Sequence, residues 1–202
     1  MGTFDLLAFG LIVITGMVIL IFRDWRINAL ALMVQFLAVF ILVTLSWPLG
    51  LAVIKLIVGW MATAAIALTC LRQMDTETPI EPAASLFFRG VIGLLVIFLI
   101  FVLAPTLRDS MFPQVDLVII QGGLMLIGMA LMQLGTNSEP YLTTMSLLSL
   151  LAGFEVVHAA LEISTLLTGL LVIVNLGLAF VGVYFIVKSN DSPAGSTPEE
   201  QP

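Results

Sequence analysis

The sequence predicts an all-α integral membrane protein with about seven transmembrane helices. Its 202 residues are 60% hydrophobic and only 10% charged, whereas a soluble domain has about 25% charged residues. The mean hydropathy is +1.18. Apolar runs of roughly 20 residues follow one another, and each is long enough to cross a bilayer as a helix. The alternation of polar and apolar residues that is typical of a membrane β-barrel is absent.

Charged, proline-containing or glycine-containing segments separate these apolar runs. The predicted spans are 4–22, 27–46, 49–71, 87–104, 115–134, 141–161 and 166–187. Arg23–Arg26 ends the first span, Trp47–Pro48 ends the second and Pro105 ends the fourth, because charges and prolines interrupt apolar helices. A polar loop, 72–82, follows the third span. A turn containing Asn137 follows the fifth, and a very short turn joins the sixth to the seventh, so those two helices are antiparallel neighbours.

The predicted spans fall into two regions, with a weakly marked boundary near residues 105–114. It separates an N-terminal four-helix region, 1–110, from a C-terminal three-helix region, 115–188. No strong internal repeat is visible. Residues 189–202 are rich in Pro, Ser and Glu, and this composition predicts a disordered tail.

The distribution of basic residues predicts the orientation in the membrane, because cytoplasmic loops are enriched in Lys and Arg. One side carries Arg23, Arg26, Arg72, Arg89 and Lys188. The other side carries Arg108 and Lys55. We therefore expect an N-terminus outside, a cytoplasmic C-terminal tail, and a multi-pass protein of a prokaryotic-type inner (plasma) membrane.

Composition and motifs argue against several classes of function. The net charge of −6 comes without a basic patch, so nucleic acid is not an expected partner. The single cysteine, Cys70, excludes an internal disulfide, and no Cys/His cluster has the spacing of metal ligands. There is also no glycine-rich phosphate loop or nucleophile motif. We expect no cofactor in this chain, no catalysis by this chain alone, and the lipid bilayer as its surroundings.

Glu155 is the most informative residue, because a carboxylate inside an apolar span costs on the order of 3 kcal/mol and usually marks an ion pathway. It lies about 20 Å along the sixth span from Tyr141, somewhat beyond the midplane. His158 and Glu162 follow at i+3 and i+7, on the same helical face. Glu155 is thus either a proton-exchanging group or a neutral acid that is hydrogen-bonded to another helix.

Four further polar residues are candidates for an ion pathway, each with a structural alternative. His158 is either a proton carrier beside Glu155 or a helix-packing histidine. Glu162 is expected at a solvated helix end. Asn175 can join helices or hold water, and its position in the seventh span predicts a depth near that of Glu155. Lys55 is expected to extend to the membrane surface, with a half-buried, charge-tuning lysine as the alternative.

Small residues predict where helices approach closely. Glycines lie inside the last three predicted spans, where the lack of a side chain permits contact between helices. These are Gly122, Gly123, Gly128, Gly153, Gly169, Gly177 and Gly182.

The last three spans carry a recognisable motif. The segment Gly123–Leu131 reads GLMLIGMAL, a turn with Asn137 follows, and the next span contains LLAGFEVVHAAL over 150–161. This frame resembles the K-type (chain 4L) subunit family of respiratory complex I, the NADH–quinone oxidoreductase, over roughly residues 115–188. The resemblance places the family's intramembrane glutamate at Glu155. A second family glutamate aligns at or near Asn175, where this chain has an amide that does not titrate.

The family has three spans, whereas this chain has seven. The longer layout, with K-like spans at its C-terminal end, looks like component E of hydrogenase-4. The resemblance implies a non-redox membrane subunit that contributes to coupling electron transfer to proton or cation translocation. It implies other membrane subunits of a complex I-like or membrane-bound hydrogenase assembly as partners, with redox cofactors in other chains.

Three alternatives remain open from the sequence. The chain could be a subunit of a multisubunit cation/proton antiporter, or a purely structural membrane scaffold subunit in which Glu155 is a packing acid. A stand-alone secondary transporter would have inverted repeats and broken helices around a central site, and the sequence indicates neither.

Overall fold

The computed structural model describes residues 3–73, 83–162 and 164–191, and this part of the chain contains seven α-helices. They are α1 (Thr3–Ile21), α2 (Trp25–Thr44), α3 (Leu49–Gln73), α4 (Ala83–Met111), α5 (Leu117–Thr136), α6 (Pro140–Leu161) and α7 (Thr165–Asp191). All seven are long and apolar enough to cross a membrane, which confirms the predicted all-α, polytopic fold. Most of the predicted tail, 192–202, and the loop segment 74–82 lie outside the described residues.

Most helix ends follow the predicted interruptions. Asp24 precedes α2, and its carboxylate accepts a hydrogen bond of 2.9 Å from the Arg26 backbone N–H. Pro140 begins α6, where a missing N–H costs nothing. The prediction that Pro105 ends the fourth span is wrong, because α4 continues through it to Met111. Membrane helices tolerate such prolines when local adjustments satisfy the freed carbonyl.

The helices form two layers of three, with α4 at one edge. In the first layer α2 packs between α1 and α3, and in the second α6 packs between α5 and α7. The layers face each other in the same order, so that α1 packs on α5, α2 on α6 and α3 on α7, while α4 packs on α1 and α5. Each facing pair is parallel, because successive spanning helices alternate in direction.

The two layers share a single register. Three hydrogen bonds between them join residues that are 114 positions apart: Gln133 to Ile19, Arg23 to Asn137, and Ser149 to Gln35. The α1–α5 and α2–α6 pairs therefore share the same offset of 114 positions where these bonds are made. No repeat is visible in the residue identities, but the two layers correspond to each other in structure. Helix order, helix length and register repeat although the side chains differ.

The bundle has two ends, which we name after residues in their connections. The Arg23 end holds the α1–α2 and α5–α6 connections, and the Trp47 end holds the α2–α3 and α6–α7 connections. At the Arg23 end, an Arg23 guanidinium nitrogen donates to Asn137 Oδ1 at 2.9 Å, and the Tyr141 hydroxyl donates to the Arg23 carbonyl. These bonds join the two equivalent connections of the repeat.

Close backbone contact joins α5 to α6. A Cβ atom placed on Gly153 would lie 2.7 Å from the carbonyl oxygen of Gly123, which is too close for any side chain. Space is also restricted at Gly122, Gly128 and Gly182, which confirms close approach at these positions. The same prediction is wrong for Gly169 and Gly177, because no neighbouring atom lies within 4 Å of an added Cβ there.

Candidate functional site: a buried lysine–glutamate pair

Four helices enclose the candidate site. α2 packs against α3 and α6, and α7 also packs against α3 and α6, so the four form a square with α3 and α6 on a diagonal. Lys55 lies six residues after Leu49, the first residue of α3, and Glu155 lies six residues before Leu161, the last residue of α6. Both are thus about 9 Å from the Trp47 end of their helices, and their side chains meet across the diagonal.

Lys55 and Glu155 form a buried ion pair. Lys55 Nζ lies 2.7 Å from Glu155 Oε1, and the two side chains are only 5% and 3% exposed. The expectation that Lys55 extends to the membrane surface is wrong. Its side chain points into the square of helices, because α2 and α7 cover α3 on both sides. The alternative interpretation, a buried lysine that tunes charge, agrees with this geometry.

The two charges of the pair neutralise each other. At 2.7 Å, the attraction is worth about 6 kcal/mol for an effective dielectric constant of about 20. Most of this attraction is offset by the cost of removing two charges from water. The net stabilisation is therefore small, but either charge would be strongly unfavourable without the other. The sequence did place an acid in the membrane, and the structure supplies its counter-ion.

Trp47 covers Lys55 from the α2–α3 connection. Lys55 Nζ lies 5.5 Å from the centre of the indole ring, within the range of a cation–π interaction. Trp47 is 4% exposed, and its backbone N–H donates to the Val43 carbonyl at 2.8 Å, which holds the residue at the end of α2. Its indole Nε1 is buried and has no hydrogen-bond partner among the described residues.

His158 packs against an aromatic neighbour on its own helix. Its ring stacks on Phe154, with ring centres 6.0 Å apart and planes inclined by 30°. His158 Nδ1 is buried and finds no hydrogen-bond partner within the described part of the chain. The residue lies one helical turn from Glu155, nearer the Trp47 end, so it belongs to the surroundings of the pair.

Glu162 lies at a helix end, as expected. It is exposed and follows the last residue of α6, and its backbone N–H donates to the His158 carbonyl at 3.1 Å. Glu162 is therefore an exposed residue at a helix end.

A second polar level lies deeper in the same square of helices. The Ser149 hydroxyl on α6 donates to Gln35 Oε1 on α2 at 3.4 Å, and both residues are buried. Asn175 is ten residues after Thr165, about 15 Å from the start of α7, and Ser149 is about 18 Å from the end of α6. Asn175 is therefore nearer to the level of Ser149 than to that of Glu155, contrary to the expected depth.

Asn175 carries an unpaired polar atom at this deeper level. The residue is 3% exposed, and α7 packs only on α3 and α6 among its strong helix contacts, so the amide faces the inside of the square. Asn175 Oδ1 has no hydrogen-bond partner in the described ranges. Buried amide oxygens are normally satisfied by protein or water, so this atom is suited to hold a water molecule.

The arrangement can exchange protons but is poorly suited to hold a metal. Lysine and glutamate in contact can share or pass a proton, and the neighbouring polar atoms can bind water. Among residues 3–73, 83–162 and 164–191, no group of three His, Cys, Asp or Glu side chains is placed to hold a metal ion.

Sequence reasoning identified Lys55 and Glu155 separately but missed their contact, which joins residues 100 positions apart. It also treated Trp47 only as the end of a span. The sequence held one signal for the contact between Trp47 and Lys55. These residues lie on either side of the α2–α3 turn, and this spacing brings an aromatic ring near a lysine.

Comparisons with protein-family models, with curated proteins and with solved structures returned no match to this chain.

Proposed function

We propose that this chain is a non-redox, proton-transferring membrane subunit of a complex I-like or membrane-bound hydrogenase-type assembly. The observation that carries the proposal is the buried contact between Lys55 Nζ and Glu155 Oε1 at 2.7 Å. Ionisable residues inside a membrane protein commonly mark proton relays and ion pathways. The motif around Glu155, which resembles the K-type subunit family, supports the same assignment.

A purely structural role does not need two buried charges. Replacement of a buried ion pair by apolar side chains of similar volume is often neutral or stabilising. The two side chains of the pair are 5% and 3% exposed. Leucine or methionine at these positions would therefore give about the same stability. The cost of burying it is better explained by the chemistry it allows, which is the movement of a proton between two groups.

The charge of the pair favours protons over sodium ions. Sodium sites in membrane proteins use uncompensated oxygen ligands, whereas the ammonium of Lys55 already neutralises Glu155 and repels a second cation. A proton needs no coordination shell and can pass between lysine, glutamate and water. Gln35, Ser149 and Asn175 form a deeper polar level that supplies hydrogen-bonding groups on the Arg23 side of the pair.

Substitution of the pair in the native host tests the proposal. Membrane vesicles carrying Glu155→Gln would be assayed for coupled proton uptake by quenching of a pH-sensitive dye during electron transfer. We expect coupling to fall at least tenfold while the complex still assembles. Glu162→Gln is the matched control, since it removes an exposed carboxylate from the end of the same helix, and it should leave coupling unchanged.

A double variant separates transport from scaffolding. Lys55→Met with Glu155→Gln removes both charges and keeps the side-chain volumes. The proposal expects an assembled complex without coupled proton uptake. Wild-type uptake in this variant would leave only the scaffold function.

Purification of the tagged chain in mild detergent tests the assembly itself. The proposal expects large antiporter-like membrane subunits and iron–sulfur subunits to co-purify with it. Antiporter-like subunits without an iron–sulfur partner would instead indicate a multisubunit cation/proton antiporter.

A further inference from the structure

We infer that Trp47 and Lys55 together bind water at the Trp47 end of the pair, and that the indole ring of Trp47 closes this site from the membrane surface. The site would be the last step of the proton route between the pair and that surface. This inference deepens the proposed function and rests on it for its role, although water binding can be tested separately.

Unused hydrogen-bond donors indicate a ligand with acceptor atoms. The Trp47 indole N–H is buried without a partner among the described residues. Lys55 Nζ has one close partner, Glu155 Oε1 at 2.7 Å. An ammonium also carries three donors, and one carboxylate oxygen does not use them all. Leaving buried donors unsatisfied is costly.

The spacing suits one or two water molecules. Lys55 Nζ lies over the Trp47 ring, 5.5 Å from its centre, so the ammonium and the indole N–H border one small region that water can connect. A buried water needs two to four polar partners. The indole N–H and the ammonium donate to its oxygen, and a water hydrogen can be accepted by a nitrogen lone pair or a carboxylate.

His158 adds a further polar atom on the Trp47 side of the pair. It lies one helical turn, about 4.5 Å, from Glu155 along α6. Its Nδ1 is buried and has no hydrogen-bond partner in the described ranges, so it can accept or donate a hydrogen bond to water on that side.

Trp47 is positioned to close this route. The residues on either side of it in the α2–α3 connection, Ser46 and Pro48, are half-buried and exposed, while Trp47 itself is 4% exposed. The ring therefore separates the pair from the surface. Its face is directed at the Lys55 ammonium, at a distance suited to a cation–π interaction.

Nuclear magnetic resonance of the full wild-type chain in lipid nanodiscs tests water binding, and a variant is needed only to assign the signal. The indole N–H of Trp47 would be assigned by its loss in Trp47→Phe and examined for a nuclear Overhauser effect to water. The inference expects a clear effect for Trp47. Trp60 is the internal control, since its indole N–H donates to the Met33 carbonyl at 3.1 Å, and it should show none. A Trp47 signal without any water contact would overturn the inference.

The role in the route is tested by coupled proton uptake. Trp47→Phe keeps the ring but removes the N–H donor, and uptake should fall roughly fivefold, the scale of one lost hydrogen bond. Trp60→Phe should leave uptake unchanged. Unchanged uptake in Trp47→Phe, together with loss of uptake in Glu155→Gln, would overturn the route while the proposed function stands. A water contact at Trp47 with normal uptake in Glu155→Gln would instead overturn the proposed function and keep the water site.

Discussion

The sharpest prediction concerns removal of one charge of the Lys55–Glu155 pair. Lys55→Met leaves Glu155 without its counter-ion, and Glu155→Gln leaves Lys55 without its own. The double variant, with both changes, leaves no charge at the site. Because Met and Gln nearly match the original side-chain volumes, the three variants differ in charge rather than in packing.

The expected loss of unfolding free energy follows from the burial of the two charges. A lone carboxylate or ammonium that is about 95% buried would cost roughly 3–5 kcal/mol. It can escape part of this cost by gaining or losing a proton. At pH 7, protonation of an ordinary glutamate costs about 4 kcal/mol, and deprotonation of an ordinary lysine costs slightly more. Each single variant should therefore lose about 3–4 kcal/mol of unfolding free energy. The double variant should remain within about 1 kcal/mol of wild type.

The assay is reversible unfolding in mixed micelles, with SDS as denaturant and tryptophan fluorescence as the signal. A double-mutant cycle over the four proteins yields the coupling energy between the two positions. From these losses we expect a coupling energy of at least about 5 kcal/mol. Glu162→Gln and Lys188→Met remove exposed charges and should each change the unfolding free energy by less than about 0.5 kcal/mol.

Additive effects would refute the reasoning. If the losses of the two single variants sum to that of the double variant within about 0.5 kcal/mol, the two side chains do not interact in the membrane. The contact between them could then explain neither the expected coupling energy nor the proposed proton exchange.

Two further predictions concern the packing that holds the site in place. Gly153→Ala should cost about 1–3 kcal/mol in the same unfolding assay, because the added Cβ meets the carbonyl oxygen of Gly123 at 2.7 Å; Gly169→Ala, with open space around it, should be nearly neutral, and equal effects would refute the close α5–α6 contact. Tyr141→Phe should cost about 1 kcal/mol, because it removes a hydrogen bond between the two equivalent connections at the Arg23 end. Tyr184→Phe alters an exposed tyrosine and should have little effect, so a matching loss there would contradict the role of the Tyr141 bond.

Local patterns in the sequence were sufficient for the spans. Hydrophobicity and length are properties of a contiguous segment, and a run of about 20 apolar residues crosses a bilayer whatever its neighbours are. The failure at Pro105 has a local cause as well. Proline disfavours a helix in water, but α4 continues through it in an apolar setting where an interrupted helix would leave more backbone groups unpaired.

The internal repeat could not be recognised from residue identities. It consists of a common helix order and a register of 114 positions. Many different apolar side chains satisfy the same helix–lipid and helix–helix contacts, so the order and spacing of helices can persist when the identities do not.

The sequence by itself determined that this protein is a seven-helix membrane bundle and that Glu155 is an acid in an apolar solvent. Both follow from the cost of placing each local segment in hydrocarbon. Only the tertiary structure decided that Lys55 faces inward, that it neutralises Glu155 from 100 residues away, that Trp47 covers it, and that His158 contacts Phe154 instead. Those contacts depend on which faces of which helices meet, and that choice is made by the packing of the whole bundle.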